Sequence, residues 1–248
     1  HKAIRRQRQM CIRDRDTLYV TDFPDPVRRP GCCTNKEVTQ MSRYFTKTLA
    51  SLEPYTPGEQ LKIADIVKLN ANENPYPPAP GVAAAVAGAV PGLRLYSDLT
   101  EAALCAAIAR HCGVQPENIL CGNGSDENLL LALRAFCDEN TPLAFADVTY
   151  SFYTVLCDLL HIPQHVIPLE SDLTIDLKKY CGLHETIVIA NPNAPTSLLA
   201  PVDAIEEVLK TNPDNIVIVD ETYVEFAPAG SSCLPLLETY DNLVITHT

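Results

Sequence analysis

The sequence predicts an α/β fold, a mostly parallel sheet held between layers of helices, and three observations predict it. Strand-sized apolar runs recur at 118–121, 142–146, 164–168, 186–190, 215–219 and 242–246. Helix-patterned stretches lie between them at 126–137, 150–160 and 202–210, and strands joined through helices close as parallel neighbours. The glycine-, proline- and asparagine-bearing segments follow directly on the runs, at the carboxyl ends of strands, where open α/β sheets bind ligands.

The opening HKAIRRQRQMCIRDRD has no initiator Met and no apolar core, so it is no secretory signal. Asp14 and Asp16 are out of place in a transit peptide, and QRQMCIRDR resembles translated sequencing-adapter DNA. Residues 1–40 are therefore expected to be a non-native or disordered leader, with Met41 as the true start. A polar, proline-rich N-terminal arm is expected over 41–80. From 81 the helical and strand patterns begin, with an alanine-rich helix at 81–89 and another at 100–112 that takes Thr100 as N-cap and Glu101 in its first turn.

Composition excludes several classes. The 248 residues carry a net charge of −12, and the acid is concentrated after residue 40, where ten basic side chains face twenty-six acidic ones. Such a body repels phosphate backbones and shows no basic stripe, which argues against nucleic-acid binding. The longest apolar stretches, such as 81–90, fall short of the roughly 20 residues a membrane span needs. The ten cysteines form no CxxC, so no metal site is expected, and dispersed thiols point to a reducing cytoplasm. His161 and His165 stand four apart, but Pro163 between them breaks a helix, which leaves them as loop histidines before a strand.

Three segments carry candidate chemistry. In ILCGNGSDENLL a strand runs into a glycine-bearing turn and a helix starting near Asp126. Gly122 and Gly124 permit close approach, Ser125 offers a hydroxyl, and the free N–H groups of the helix start suit a phosphate. A plain turn capped by Ser125 and Asp126 fits the same residues. In NIVIVDETYVEF, Asp220 follows four apolar residues and sits at a strand's carboxyl end, where a semi-buried carboxylate needs a cationic or donor partner, with Tyr223 in reach of the same ligand. Asp220 capping the next segment is the alternative. In IVIANPNAPTS two prolines stiffen a turn bearing Asn191 and Asn193, which a plain loop also explains.

Taken in order, SLEPYTPGEQ, KLNANENPYPPAP, RLYSD, ILCGNGSDE, TYSFY, NPNAPTS, VDETYVEF and NLVITHT resemble the fold-type I, pyridoxal-phosphate-dependent aminotransferases, and more narrowly the histidinol-phosphate aminotransferases. The resemblance covers almost everything after residue 41. It implies the three-layer α/β/α large domain of that family, here incomplete over 81–248, without the small domain. It makes Gly124, Ser125 and Asp126 the cofactor-phosphate turn, Tyr150 the aromatic covering the pyridine ring, and Asp220 the partner of the ring nitrogen. Tyr223 and Asn193 then bond the ring's phenolic oxygen. Tyr96 reaches the partner's cofactor phosphate across a homodimer, and Tyr55 and Asn72 contact substrate.

Two departures qualify the match. The family often has Asn directly before the proline of its NPTG turn, where Ala194 stands here, so Asn193 takes that role provisionally. Ser197 replaces the turn's usual glycine at a position that prefers φ above zero. The Schiff-base lysine follows the final Thr as x-Ser-Lys and so lies beyond Thr248; as given, the sequence is expected to be an inactive fragment. The resemblance implies amino transfer between L-histidinol phosphate with 2-oxoglutarate and imidazole-acetol phosphate with glutamate. Related aminotransferases, a threonine-phosphate decarboxylase and a lysine-less pyridoxal-phosphate-binding protein remain as alternatives. A nucleotide-binding domain is a further one, but CGNGSDE fits neither GxGxxG nor a P-loop.

Overall fold

A computed structural model describes residues 44–52, 67–70 and 72–248. The expected leader and Tyr55 lie outside the described residues. The chain divides between Pro54 and Tyr55 into two units. In the first, helix α1 (Lys47–Ser51) starts at Thr46, whose hydroxyl accepts from the Leu49 N–H.

The second unit runs α2 (Val82–Ala89), α3 (Ala102–Cys112), α4 (Gly124–Phe136), β1 (Leu143–Ala146), α5 (Phe152–Leu160), β2 (Gln164–Ile167), β3 (Thr186–Ala190), α6 (Val202–Thr211), β4 (Val217–Asp220) and β5 (Leu243–Thr246). The five strands form one sheet in the order β2-β1-β3-β4-β5, and every pairing is parallel. The parallel α/β expectation is met.

Alternation along the strands builds two cores. Ile187, Ile189, Val217 and Val219 pack with Ile205, Val208 and Leu209 of α6. Val188, Ala190, Ile218, Leu143 and Phe145 face the other way, onto Leu129 and Leu133 of α4 and Tyr153 and Leu156 of α5. Because successive side chains point to opposite faces, the strands read as unbroken apolar runs while filling both layers.

The structure corrects two element assignments. The apolar run at 118–121 is no strand: Pro116–Asn118 forms a 3-10 turn, and 119–121 leaves it extended with Leu120 exposed. An apolar run becomes a strand only where a ladder partner lies alongside, and β2 and β5 are the edges of the sheet. Thr100 does not cap α3. Asp98 does that work, accepting from Thr100 N at 3.0 Å, Thr100 Oγ1 at 2.8 Å and Ala102 N at 3.1 Å. A carboxylate one turn upstream satisfies donors that the Thr100 hydroxyl, itself bound to Asp98, leaves alone. His161 closes α5 at φ 59, and His165 lies within β2, where Nδ1 is 2.7 Å from Glu185 Oε2. Among the described residues no helix is long and apolar enough to cross a membrane.

Candidate functional site

The carboxyl ends of β1, β3, β4 and β5 and the start of α4 converge. α4 opens at Gly124, two residues earlier than its sequence pattern indicates, and Gly124 needs φ +78 to make the turn. Asn123 supplies no side-chain cap. Its N–H and Nδ2 instead bond Glu127 Oε2 at 2.5 and 2.8 Å, folding the turn onto the helix. A thirteen-residue helix thus presents its first N–H groups at the edge of the sheet without a side-chain oxygen over them, the arrangement that attracts an anion. Thr248 Oγ1 overlooks the turn, 3.4 Å from where a Cβ on Gly124 would sit.

Asp220 ends β4 and is only 4 % exposed. Strand alternation places it on the α4/α5 side, following Ile218. Tyr153 OH donates to its Oδ2 at 2.7 Å, and Thr222 Oγ1 and Thr246 Oγ1 donate to Oδ1 at 2.8 and 3.0 Å. Thr246 arrives by register, since β5 pairs it with Asp220. Among the described residues Asp220 forms no ion pair. Burial, then the Asp220 charge and hydrogen bond, lifts the Tyr153 hydroxyl well above its ordinary range, so it remains a donor.

Thr222 ties this carboxylate to the helix start, its Oγ1 also reaching Ser125 Oγ at 3.3 Å. Ser125 is buried. Tyr150 follows β1, donates its hydroxyl to Asp126 Oδ1 at 2.9 Å, and meets the Tyr153 ring edge-on at 5.7 Å. Tyr223 OH accepts from Asn72 Nδ2 at 2.9 Å, which brings two predicted residues together across 151 positions. Hydrogen bonds and ring contacts thus connect Ser125, Asp126, Tyr150 and Asp220, with Gly124 at the same helix start, while Tyr223 and Asn72 pair with each other.

Asn193 is committed elsewhere. Its Nδ2 bonds Val148 O at 2.9 Å and Thr196 Oγ1 at 3.0 Å, and its Oδ1 accepts from Thr149 Oγ1 at 2.7 Å. It pins the turn after β3 to the loop after β1, while Asn191 closes the same turn on Ala200. Tyr96 stands apart, fully exposed among exposed Leu93, Leu95 and Leu99.

A model of the aminotransferase class I and II family matches residues 64–248. The chain belongs to that family. A histidinol-phosphate aminotransferase of Dechloromonas aromatica is 45% identical over 213 residues, covering 84% of this chain and 59% of the relative. One from Lactococcus lactis is 43% identical over 205 residues, covering 82% and 57%. The aminotransferase chain thus spans about three fifths of the length of the relatives it matches. The crystal structure of histidinol-phosphate aminotransferase from Sinorhizobium meliloti, in complex with pyridoxal-5'-phosphate, superposes with a TM-score of 0.68 at 23% identity, covering 86% of this chain and 60% of that one. At that identity it speaks for the aminotransferase fold alone.

Sequence reading missed three residues of this candidate site. Tyr153, Thr222 and Thr246 hold Asp220. Thr222 could have been found from its spacing, two residues past a strand-end carboxylate, a common side-chain-to-backbone turn. Tyr153 and Thr246 gave no local signal, because one depends on how α5 packs and the other on strand register.

Proposed function

We propose that the chain forms the cofactor-binding part of a pyridoxal-phosphate-dependent aminotransferase that exchanges the amino group between L-histidinol phosphate and 2-oxoglutarate. The observation that carries the proposal is Asp220, a buried carboxylate surrounded by hydroxyl donors and lacking a cation. A protonated pyridine nitrogen is the partner such a group needs. The uncapped start of α4 suits the cofactor's phosphate, so the residues present fit the group at both ends.

When bound, pyridoxal phosphate supplies an electron-accepting ring for the charge that develops as the substrate Cα loses its proton. The residues of this chain hold and bias it. Asp220 keeps a proton on the facing nitrogen, and the three hydroxyls fix the carboxylate's direction. Gly124, Ser125 and Asp126 take the phosphate with backbone N–H groups and the Ser125 hydroxyl. Tyr150 covers one face of the ring, oriented by Asp126 and Tyr153. Tyr223 serves the phenolic oxygen, and Asn72, bonded to it, links the cofactor to substrate. Asn193 joins Tyr223 there by exchanging its Thr196 bond.

Tyr96, on a segment of exposed leucines, supports a homodimer in which it reaches the partner's cofactor phosphate. Tyr55 remains a proposed substrate contact. The seven described cysteines are free, which supports a cytoplasmic setting. The relatives at 45% and 43% identity favour histidinol phosphate over the other amino donors. The test is an amino-transfer assay on the protein expressed from its complete reading frame, reconstituted with pyridoxal phosphate. L-histidinol phosphate should exceed aromatic amino acids in kcat/KM; carbon dioxide release from threonine phosphate, or no turnover of any donor, would overturn the assignment.

A further inference from the structure

Cys105 and Cys121 are separated by 16 positions, and their Sγ atoms stand 4.0 Å apart. Cys105 lies in the second turn of α3, buried, with its thiol 3.8 Å from both Thr100 O and Ile119 O. Cys121 is half-buried, at the end of the extended 119–121 segment, and directly precedes Gly122 and the turn that opens α4. Nothing in the spacing of the cysteines points to this pairing.

We propose that Cys105 and Cys121 are a reversible disulfide site whose closure displaces the turn opening α4. A disulfide needs its sulfurs near 2.05 Å, so roughly 2 Å of approach is required, and α3 is the stiffer side. Cys121 sits on a segment that belongs to no strand, so it moves and draws Gly122 with it. Gly122 is exposed but lies tight against the Asn128 side chain on one side. A Cβ there would collide with the Asn128 amide oxygen, which has no hydrogen-bond partner in the interior. Displacing Gly122 therefore disturbs the packing that sets the first N–H groups of α4.

The oxidant is a low-molecular-weight disulfide such as oxidised glutathione. The accessible Cys121 thiolate attacks it, the oxidant's S–S bond breaks, and one glutathione thiolate leaves. Cys105 then loses its proton to solvent and attacks the Cys121 sulfur, expelling the second glutathione thiolate. Two protein thiols are oxidised by two electrons and one disulfide is reduced to two thiols. Burial, with Cys105 and Glu101 beside it, raises the Cys121 thiol above its ordinary range, so closure accelerates as pH rises.

Formation of the bond rests on the two thiols alone, whereas its effect on cofactor rests on the phosphate-turn reading. The test treats the protein from its complete reading frame with oxidised glutathione and maps peptides without reduction. A Cys105–Cys121 link that dithiothreitol reverses is expected, with faster amide exchange at Gly122–Ser125 and pyridoxal phosphate bound about five- to tenfold more weakly. C121S should form no link and show no change in amide exchange, and C105S should stop at glutathione on Cys121, as the parent should not. A reaction that stops at glutathione on Cys121, a link to another cysteine, or a link that leaves amide exchange unchanged would overturn the proposal. If the reduced protein binds no pyridoxal phosphate, the cofactor reading fails, and amide exchange still decides whether the turn moves.

Discussion

Asp220 and Glu221 are consecutive carboxylates, both buried at the end of the sheet, and they face opposite layers with opposite outcomes. Glu221, 1 % exposed, is fully provided for: Cys233 N donates at 2.6 Å, Ser232 Oγ at 2.7 Å, and His247 Nε2 lies at 3.1 Å. Among the described residues Asp220 has three hydroxyls and the Thr222 N–H, at 3.3 Å, and no ion-pair partner. On the proposed function, the carboxylate with an imidazole holds the fold together, and the one without an ion-pair partner among the described residues takes its countercharge from the ligand. One step along the strand separates the two because side chains alternate between faces.

The widest separation of the two should come from removing each in turn. Asp220→Asn keeps the shape and most hydrogen bonds, so the protein should stay folded while kcat/KM for amino transfer falls by about 10²–10³-fold. Glu221→Ala strands a half-buried imidazole and a buried N–H, and should cost about 3 kcal/mol of stability. Its cofactor affinity, measured well below the melting temperature, should stay within about threefold of the parent, since its partners Ser232, Cys233 and His247 are none of those that hold Asp220. Paired denaturation and kinetic measurements check both. If Glu221→Ala abolished cofactor binding in a folded protein, the division of labour would be wrong.

The same contrast explains what the sequence made legible. Asp220 announced itself because an acid after four apolar residues violates the strand pattern at the sheet's ligand edge. Glu221 shares that position yet carried no signal, because its partners Ser232, Cys233 and His247 come from segments that only the folded sheet brings near. Gly124 and Ser125 were readable from a turn that needs positive φ, and the strands from their length and spacing. The run 118–121 misled because apolar content does not supply a ladder partner. Asn193 read as a donor for ligand, and its amide also ties two loops together, a role that depends on Val148 and Thr149 lying opposite.

A finer probe of the ligand side is Tyr153→Phe, which removes one hydroxyl and leaves the ring against Tyr150 and Phe145. The loss of a hydrogen bond to a charged acceptor is worth about 1.5–3 kcal/mol. Part of it should appear as weaker pyridoxal phosphate binding, and the pH at which the bound cofactor's absorbance changes should fall, because a less well-held carboxylate turns less squarely to the nitrogen. An unchanged absorbance titration with reduced stability would make Tyr153 a packing residue only.

On the other side, pH acts through His247. Its hydrogen bond to Glu221 raises the imidazole above its ordinary range, against burial and with further help from the charges of Glu221, Glu225 and Asp220. A group with a raised folded pKa contributes stability that is full below its unfolded value of about 6.5 and is lost as pH climbs through the folded one. Stability should therefore decline from about pH 6.5 upward, and His247→Gln should flatten that decline. A parent protein whose melting temperature is level between pH 6 and 9 would show that the pair contributes nothing as a charge.

The smallest effect belongs to the turn between β3 and α6. Ser197 sits at φ 60, with its N–H bonded to Asn193 O at 2.7 Å. A side chain in that region costs roughly 1–2 kcal/mol, and glycine gives part of this back to unfolded-state entropy. Ser197→Gly should thus stabilise the protein by about 0.5–1 kcal/mol. The turn joins the end of β3, whose Asn191 N–H bonds Asp220 O at 2.9 Å, so any shift in it would reach the carboxylate's backbone. Equal cofactor affinity in a more stable variant would mean that the strained serine leaves Asp220 where it is, while a change in affinity would make the turn part of what aims it.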